Sequence, residues 1–205
     1  TDITNLDFMV YGKRALFMGT PEANRKERLK ILDKYPGVHV GNYMYKNNKD
    51  LTFTDVSKNW GLGKPSYSNG SAYGDLDNDG DLDLVINNID EPAAVYENRS
   101  NVLIPGINWI KVKCKGPKGN RDGLEAKVWL WQNGMMQYNF VAPVRGYISS
   151  VPAILHFGLA DKPIDSLKIV WPDGKQQVVK QPKLNSLLVL DYAGAAASDA
   201  VNFYV

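Results

Sequence analysis

"YGDLDNDGDLDLVINN", residues 73–88, places five aspartates at alternate positions: Asp75, Asp77, Asp79, Asp81 and Asp83. Like charges held this close repel one another, so the loop needs a counter-charge. A hard divalent cation supplies one. Calcium takes six to eight oxygens at about 2.3–2.6 Å and tolerates irregular geometry, whereas magnesium demands a tight octahedron and keeps its waters. The pattern D-x-D-x-D-G-x-x-D matches a calcium loop, with Asp75, Asp77 and Asp79 at positions 1, 3 and 5. Gly80 at position 6 permits the sharp turn. Asp81 at position 7 would offer its backbone carbonyl, and Asp83 at position 9 its carboxylate. An EF-hand would place a bidentate Glu at position 12 and then a helix. Position 12 here is Ile86, inside the β-like run "LDLVIN". The loop therefore joins strands, and Asp83 takes over the closing role. The alternative, an acidic surface turn without metal, explains neither the glycine nor the apolar strand behind it.

Around this loop the chain reads mainly as strands. "HVGNYMYKNN" and "LTFTDVS" are short and rich in aromatic and β-branched residues, with Asn47 to Asp50 as the turn between them. "AAVYENRS" follows the loop, and Asn101 to Gly106 read as a linker. The second half is a strand series: "NWIKVKCKG", "AILHFGL", "DSLKIVW", "QQVVK" and "SLLVLDY". Within it "EAKVWLWQNGMMQYNFV" predicts a hairpin around Asn133-Gly134, a pair suited to a type I′ turn. Trp171-Pro172-Asp173-Gly174 predicts another tight turn. This half is expected to form an antiparallel sandwich. The one helix signal lies upstream. Thr20 caps, Pro21 and Glu22 suit the first turn, Leu29 and Leu32 give an apolar face, and Pro36-Gly37 ends it.

Bulk properties exclude several functions. The net charge of +2 over 205 residues is too small to imply nucleic acid or an anionic membrane. It is unevenly spread. Residues 1–106 carry 12 Lys/Arg against 15 Asp/Glu, and residues 107–205 carry 12 against 7. That shift suggests a domain boundary near residue 105. Cys114 is the single cysteine, so neither an intrachain disulfide nor a cysteine-based zinc site is available. No apolar run reaches the roughly 20 residues of a membrane span. There is no phosphate loop, nucleophile elbow or zinc signature. His39 and His156 lack Asp, Glu or His neighbours at ligand spacing, and a hydrogen-bonded structural role is expected for His156. Trp129, Trp131 and Trp171 read as core or rim aromatics.

"FTDVSKNWGL…YSNGSAYGDLDNDGDLDLVINN" resembles the FG-GAP/VCBS repeat, the blade unit of integrin-like β-propellers. The resemblance implies that the aspartate loop joins two strands of a blade and binds Ca2+. "NWIKVKCKGPKGNRDGLEAKVWLW" and "RGYISSVPAILHFGLADKPIDSLKIVWPDGKQQVV" resemble the ASPIC/UnbV domain, which commonly follows such repeats. Its most specific pieces are Arg145-Gly146-Tyr147 with Ser149, His156-Phe157-Gly158-Leu159, and Trp171-Pro172-Asp173-Gly174. Ala160 stands where that family often has glycine.

The expected organisation is thus a C-terminal part of a propeller over residues 1–104, an ASPIC/UnbV β domain over 105–192, and a tail over 193–205. The fold class expected is mainly β, with a partial propeller region and one short helix ahead of the sandwich-like domain. The expected function is a non-enzymatic, calcium-binding adhesion or binding module of a larger, bacterial multidomain protein. The resemblance implies an extracellular or cell-envelope setting, outer membrane-associated or periplasmic. The partner would be a protein or glycan ligand at the cell surface, without nucleic acid or membrane insertion. The alternatives are a carbohydrate-binding module, suggested by the 16 Trp and Tyr residues, and a non-catalytic piece of a propeller enzyme.

Overall fold

A computed structural model describes residues 39–197 of the chain. The helix expected at residues 20–35 and the end of the tail lie outside the described residues. Mainly β structure is found, as the alternating patterns require, and the described chain divides into two compact units.

The described part of the first unit comprises residues 39–68 with 88–91. Strand β1 (Val40–Gly41) pairs antiparallel with β4 (Pro65–Ser66). Strand β2 (Tyr45–Asn47) pairs antiparallel with β3 (Phe53–Asp55). The turn between β2 and β3 falls where the Asn-Asn-Lys-Asp run predicts it. Asn48 closes it by donating its side-chain amide to the Thr52 and Thr54 hydroxyls, each at 3.0 Å.

The second unit comprises residues 69–87 with 92 onward. This division differs from the compositional break near residue 105, because the aspartate loop packs with the C-terminal half. Strands β5 (Ser68–Gly74), β6 (Asp83–Asn88) and β7 (Ala94–Tyr96) form a three-stranded sheet in that order, and the aspartate loop joins β5 to β6. The stretch read as a linker instead contains a short helix, α1 (Ser100–Leu103). Asn98 starts it: its side-chain oxygen accepts the Ser100 N–H at 3.0 Å, a local turn that asparagine favours.

The remaining strands form two facing sheets. One has the order β10 (Met135–Phe140), β9 (Lys127–Gln132), β12 (Ser166–Val170), β13 (Gln176–Lys180), antiparallel throughout. The other has the order β11 (Ile154–Leu159), β8 (Asn108–Lys115), β14 (Ser186–Asp191). Here the all-antiparallel expectation needs amendment, because β14 runs parallel to β8. The predicted hairpin forms, with Asn133 at φ 50° and Gly134 at φ 76°, the left-handed pair its turn requires. Gly174 takes φ 87° at the end of the other predicted turn.

Strand alternation builds the core. Ile110, Val112, Cys114, Leu155, Phe157 and Leu190 come from one sheet, and Val128, Leu130, Leu167 and Ile169 from the other. Trp171 is buried with them, edge-on to Tyr192 with ring centroids 5.4 Å apart. The buried polar Gln132 is fully engaged. Its amide donates to the Ala160 and Lys162 carbonyls, and its oxygen accepts the Ala160 N–H.

Leu130 sits at the centre of this core with no exposed surface. Leu130→Ala should lower the unfolding free energy by about 2–5 kcal/mol, the usual cost of truncating a fully buried leucine. Urea denaturation would measure it.

Candidate metal centre

The aspartate loop is held by its own backbone before anything else touches it. Asp77 accepts the Asp79 N–H at 3.2 Å, and Asp79 accepts the Asp81 N–H at 2.9 Å. Asp75 Oδ2 accepts the Gly80 N–H at 3.1 Å, and Asp83 Oδ2 accepts the Leu76 N–H at 2.9 Å. Such carboxylate-to-amide bonds favour turns and spread the negative charge. Gly80 stands at φ 98°, where side chains are disfavoured.

The five aspartates are not equivalent. Oxygens of Asp75, Asp77 and Asp83 lie within 4.8 Å of one another. Asp79 and Asp81 are turned toward helix α1: Asp79 Oδ2 accepts the Asn101 side-chain amide at 2.5 Å, and Asp81 Oδ2 accepts the Asn101 backbone N–H at 2.6 Å. Asp83 Oδ1 also accepts the Asn98 N–H at 2.9 Å. Asp81 and Asp83 are buried, 7% and 4% exposed.

The outer face of the β8–β11 sheet completes the surroundings. Lys111 and His156 are register partners on these strands, and Trp109 lies two residues before Lys111 on the same face. The Lys111 ammonium contacts Asp75 Oδ2. It also lies 4.9 Å from the centre of the Trp109 ring. His156 Nε2 meets the Gly80 carbonyl at 2.6 Å, and its ring stacks on Trp109 at 6.4 Å. The indole lies so near Gly80 that any side chain there would overlap it. His156 is therefore the structural, hydrogen-bonded histidine the sequence suggested. Lys111, Trp109, Asn98 and Asn101 were not singled out from sequence.

Among the buried carboxylate oxygens of the loop, one lacks a partner. Asp75 Oδ1 is buried and accepts no hydrogen bond, although its side chain is only 4% exposed. A buried, unpaired carboxylate oxygen costs several kcal/mol unless a cation or donor meets it. It belongs to the same carboxylate group whose oxygens gather with those of Asp77 and Asp83. An all-oxygen donor set of this kind fits a hard divalent cation. Burial works to raise the Asp75 pKa, but the Lys111 ammonium and the Gly80 and Asn78 N–H groups outweigh it and hold the carboxyl below its usual range. Burial lowers the His156 pKa, aided by the Lys111 charge and opposed by the Gly80 carbonyl and the nearby aspartates. Burial pushes the Cys114 thiol up to about 11, so it is an inert core residue.

A second surface feature lies on the opposite sheet. The outward residues of β9 and β10 are Trp129 and Trp131 beside Met136, Tyr138 and Phe140. Trp129 and Tyr138 have ring centroids 5.1 Å apart, and Tyr138 and Phe140 stack at 6.3 Å. A groove of about 530 Å³ is lined by Lys127, Trp129, Met136, Tyr138 and Val170.

Comparison with known proteins places this geometry. Residues 34–86 match the FG-GAP-like repeat, and residues 116–197 match the ASPIC and UnbV domain. Over 129 residues the chain is 29% identical to cartilage acidic protein 1 of Xenopus tropicalis. It is 26% identical to cartilage acidic protein 1 of Mus musculus and of Homo sapiens. Each alignment takes in 60% of this chain and 19% of the relative, so the chain spans about a fifth of the length of the relatives it matches.

The loop's fit against β8 depends on Gly80 having no side chain. Gly80→Ala should lower stability by more than 2 kcal/mol, since it adds both left-handed strain and overlap with Trp109, each worth about 1–3 kcal/mol. Thermal melts with chelator and with calcium should both report the loss.

Proposed function

We propose that this chain, an FG-GAP-like repeat joined to an ASPIC and UnbV domain, is a non-enzymatic, calcium-stiffened binding module of an extracellular or cell-envelope protein. The observation that carries the reading is the buried, partnerless Asp75 Oδ1 beside the gathered carboxylates of Asp77 and Asp83. Asp75, Asp77 and Asp83 would hold the ion, and Asp79 and the Asp81 carbonyl are the further donors the motif offers. Calcium would neutralise the loop and fix the β5–β6 turn. Extracellular modules bind calcium at about 10⁻⁴–10⁻³ M, a level maintained outside cells. The likeness to cartilage acidic protein 1 supports that setting. Among the described residues no helix is long and apolar enough to cross a membrane.

Chemistry of the described side chains favours binding over catalysis. His156 is committed to the Gly80 carbonyl, and His39 lies against Tyr67 and 3.4 Å from Glu91. Neither meets a nucleophile, and Cys114 is buried. In the first unit Tyr43, Tyr45, Phe53 and Trp60 are each more than half exposed. That pattern suits a repeat packed against further repeats of a longer multidomain protein.

The aromatic face of β9 and β10 favours a second, more specific reading: a glycan ligand. Pyranose rings stack their C–H faces on aromatic rings, and this face offers Trp129, Tyr138 and Phe140 together. Lys127, Lys168 and Lys180 project from the same side, and its strand positions carry no carboxylate. An acidic polysaccharide complements that charge. On an array of neutral and acidic glycans, binding should concentrate on the acidic ones and drop at least tenfold in Tyr138→Ala. A flat array would remove this reading and leave a protein ligand.

The metal reading is tested by melting chelator-stripped protein with calcium, with magnesium and with neither. At calcium 100-fold above Kd, linkage adds about 2.7 kcal/mol. For a chain of this size that corresponds to a rise of roughly 5–10 °C. Magnesium should do less, and Asp77→Ala should abolish the calcium shift. A wild-type protein whose melting ignores calcium would refute the metal assignment.

A further inference from the structure

We infer that Lys111 is a built-in substitute for the metal: its ammonium neutralises Asp75 when the loop is metal-free, and thereby holds the loop's calcium affinity below what the carboxylates alone would give. The inference rests on the calcium reading above and concerns a residue far from the motif. Lys111 lies 36 positions beyond Asp75, on the middle strand of a three-stranded sheet. It is fixed on both sides, opposite His156 of β11 and opposite Leu187 of β14. Its position is thus set by the sandwich and not by the loop.

The contact it makes is well enclosed. The Lys111 side chain is 17% exposed and that of Asp75 4% exposed. Trp109 lies under the ammonium, and His156 stacks on Trp109. Water has little access to screen the pair. The two oxygens of Asp75 are also divided in role. Oδ2 takes Lys111 and the Gly80 N–H, whereas Oδ1 is left without a donor. One carboxylate is therefore offered to two cations, the ammonium on one oxygen and a metal on the other. With metal absent, the ammonium supplies the neutralisation. With metal present, a positive charge a few ångströms away opposes it.

The same strand provides a control. Lys113 follows on the same face and is exposed, and Lys115 pairs with Asp191 at 2.7 Å. Removing the charge of Lys113 changes the net charge equally without touching the loop.

The experiment is calcium titration by calorimetry, with chelated melting curves, on the full chain and on Lys111→Met, Lys111→Arg and Lys113→Met. Lys111→Met should bind calcium roughly tenfold more tightly, the effect of one unit charge nearby in a partly buried site. Its chelated melting point should fall, so its calcium-induced rise should exceed that of wild type. Lys111→Arg should keep the wild-type affinity, and Lys113→Met should change neither quantity. Unchanged or weaker calcium binding in Lys111→Met, or an arginine variant that behaves like the methionine one, overturns the inference. A Lys111→Met protein that folds only with calcium supports it, and one that stays unfolded in millimolar calcium overturns it. If wild type and all variants take up no calcium, the metal reading falls and this inference with it. If all bind equally, only the inference falls.

Discussion

Five carboxylates within nine residues must be neutralised before the chain can turn back on itself, and the surroundings of the loop answer that requirement in layers. The first layer is local. Backbone N–H groups of Leu76, Asp79, Gly80 and Asp81 point at the carboxylates. The second comes from just downstream, where Asn98 and Asn101 donate to Asp79, Asp81 and Asp83. The third is the Lys111 ammonium on Asp75. Asp75 Oδ1 stays buried with no donor, and the metal assignment proposed above rests on that oxygen.

The sandwich matters here as a rigid mount. Its core residues are almost wholly enclosed, with Ile110, Val112, Val128 and Leu130 each without exposed surface. Close packing of that kind fixes strand positions to a fraction of a side-chain width. Trp109, Lys111 and His156 are the outward residues of strands whose inward residues are locked. The short helix α1 lacks that support. It has four residues, none buried, and no side-chain cap from Arg99. Asn101 ties it to the loop through bonds to Asp79 and Asp81.

How much of this was legible in the sequence follows from how local each feature is. The aspartate spacing, the Asn133-Gly134 hairpin and the Gly174 turn are written within a few residues and could be read directly. The alternation in "AILHFGL" placed His156 opposite Leu155 and Phe157, as found. The parallel pairing of β14 with β8 could not be read, because it joins segments about 75 residues apart whose patterns suit either direction. Lys111 could not be distinguished from Lys113 or Lys115, which share its spacing and chemistry. Helix α1 left no capping signature beyond Asn98. Asp81 was already set apart as a backbone-carbonyl position, but Asp79 looked equivalent to Asp75 and Asp77, and the Asn101 contact is what draws its carboxylate away from theirs.

The aspartate loop and the C-terminal sandwich therefore form one electrostatic unit, although they match two different sequence families. A calcium loop standing alone depends on its ion to hold mutually repelling carboxylates together. This loop has a lysine and a histidine from a separate sheet, one meeting a carboxylate and the other the Gly80 carbonyl. On the inference drawn above, this arrangement would give the loop a folded form without metal at the expense of metal affinity, because any charge that steadies the empty site also repels the ion. Where calcium stands near the millimolar level, weak sites still fill. Tightness is then less useful than a loop that stays in register with the strand beneath it, and the Gly80–Trp109 contact shows how little room that register leaves.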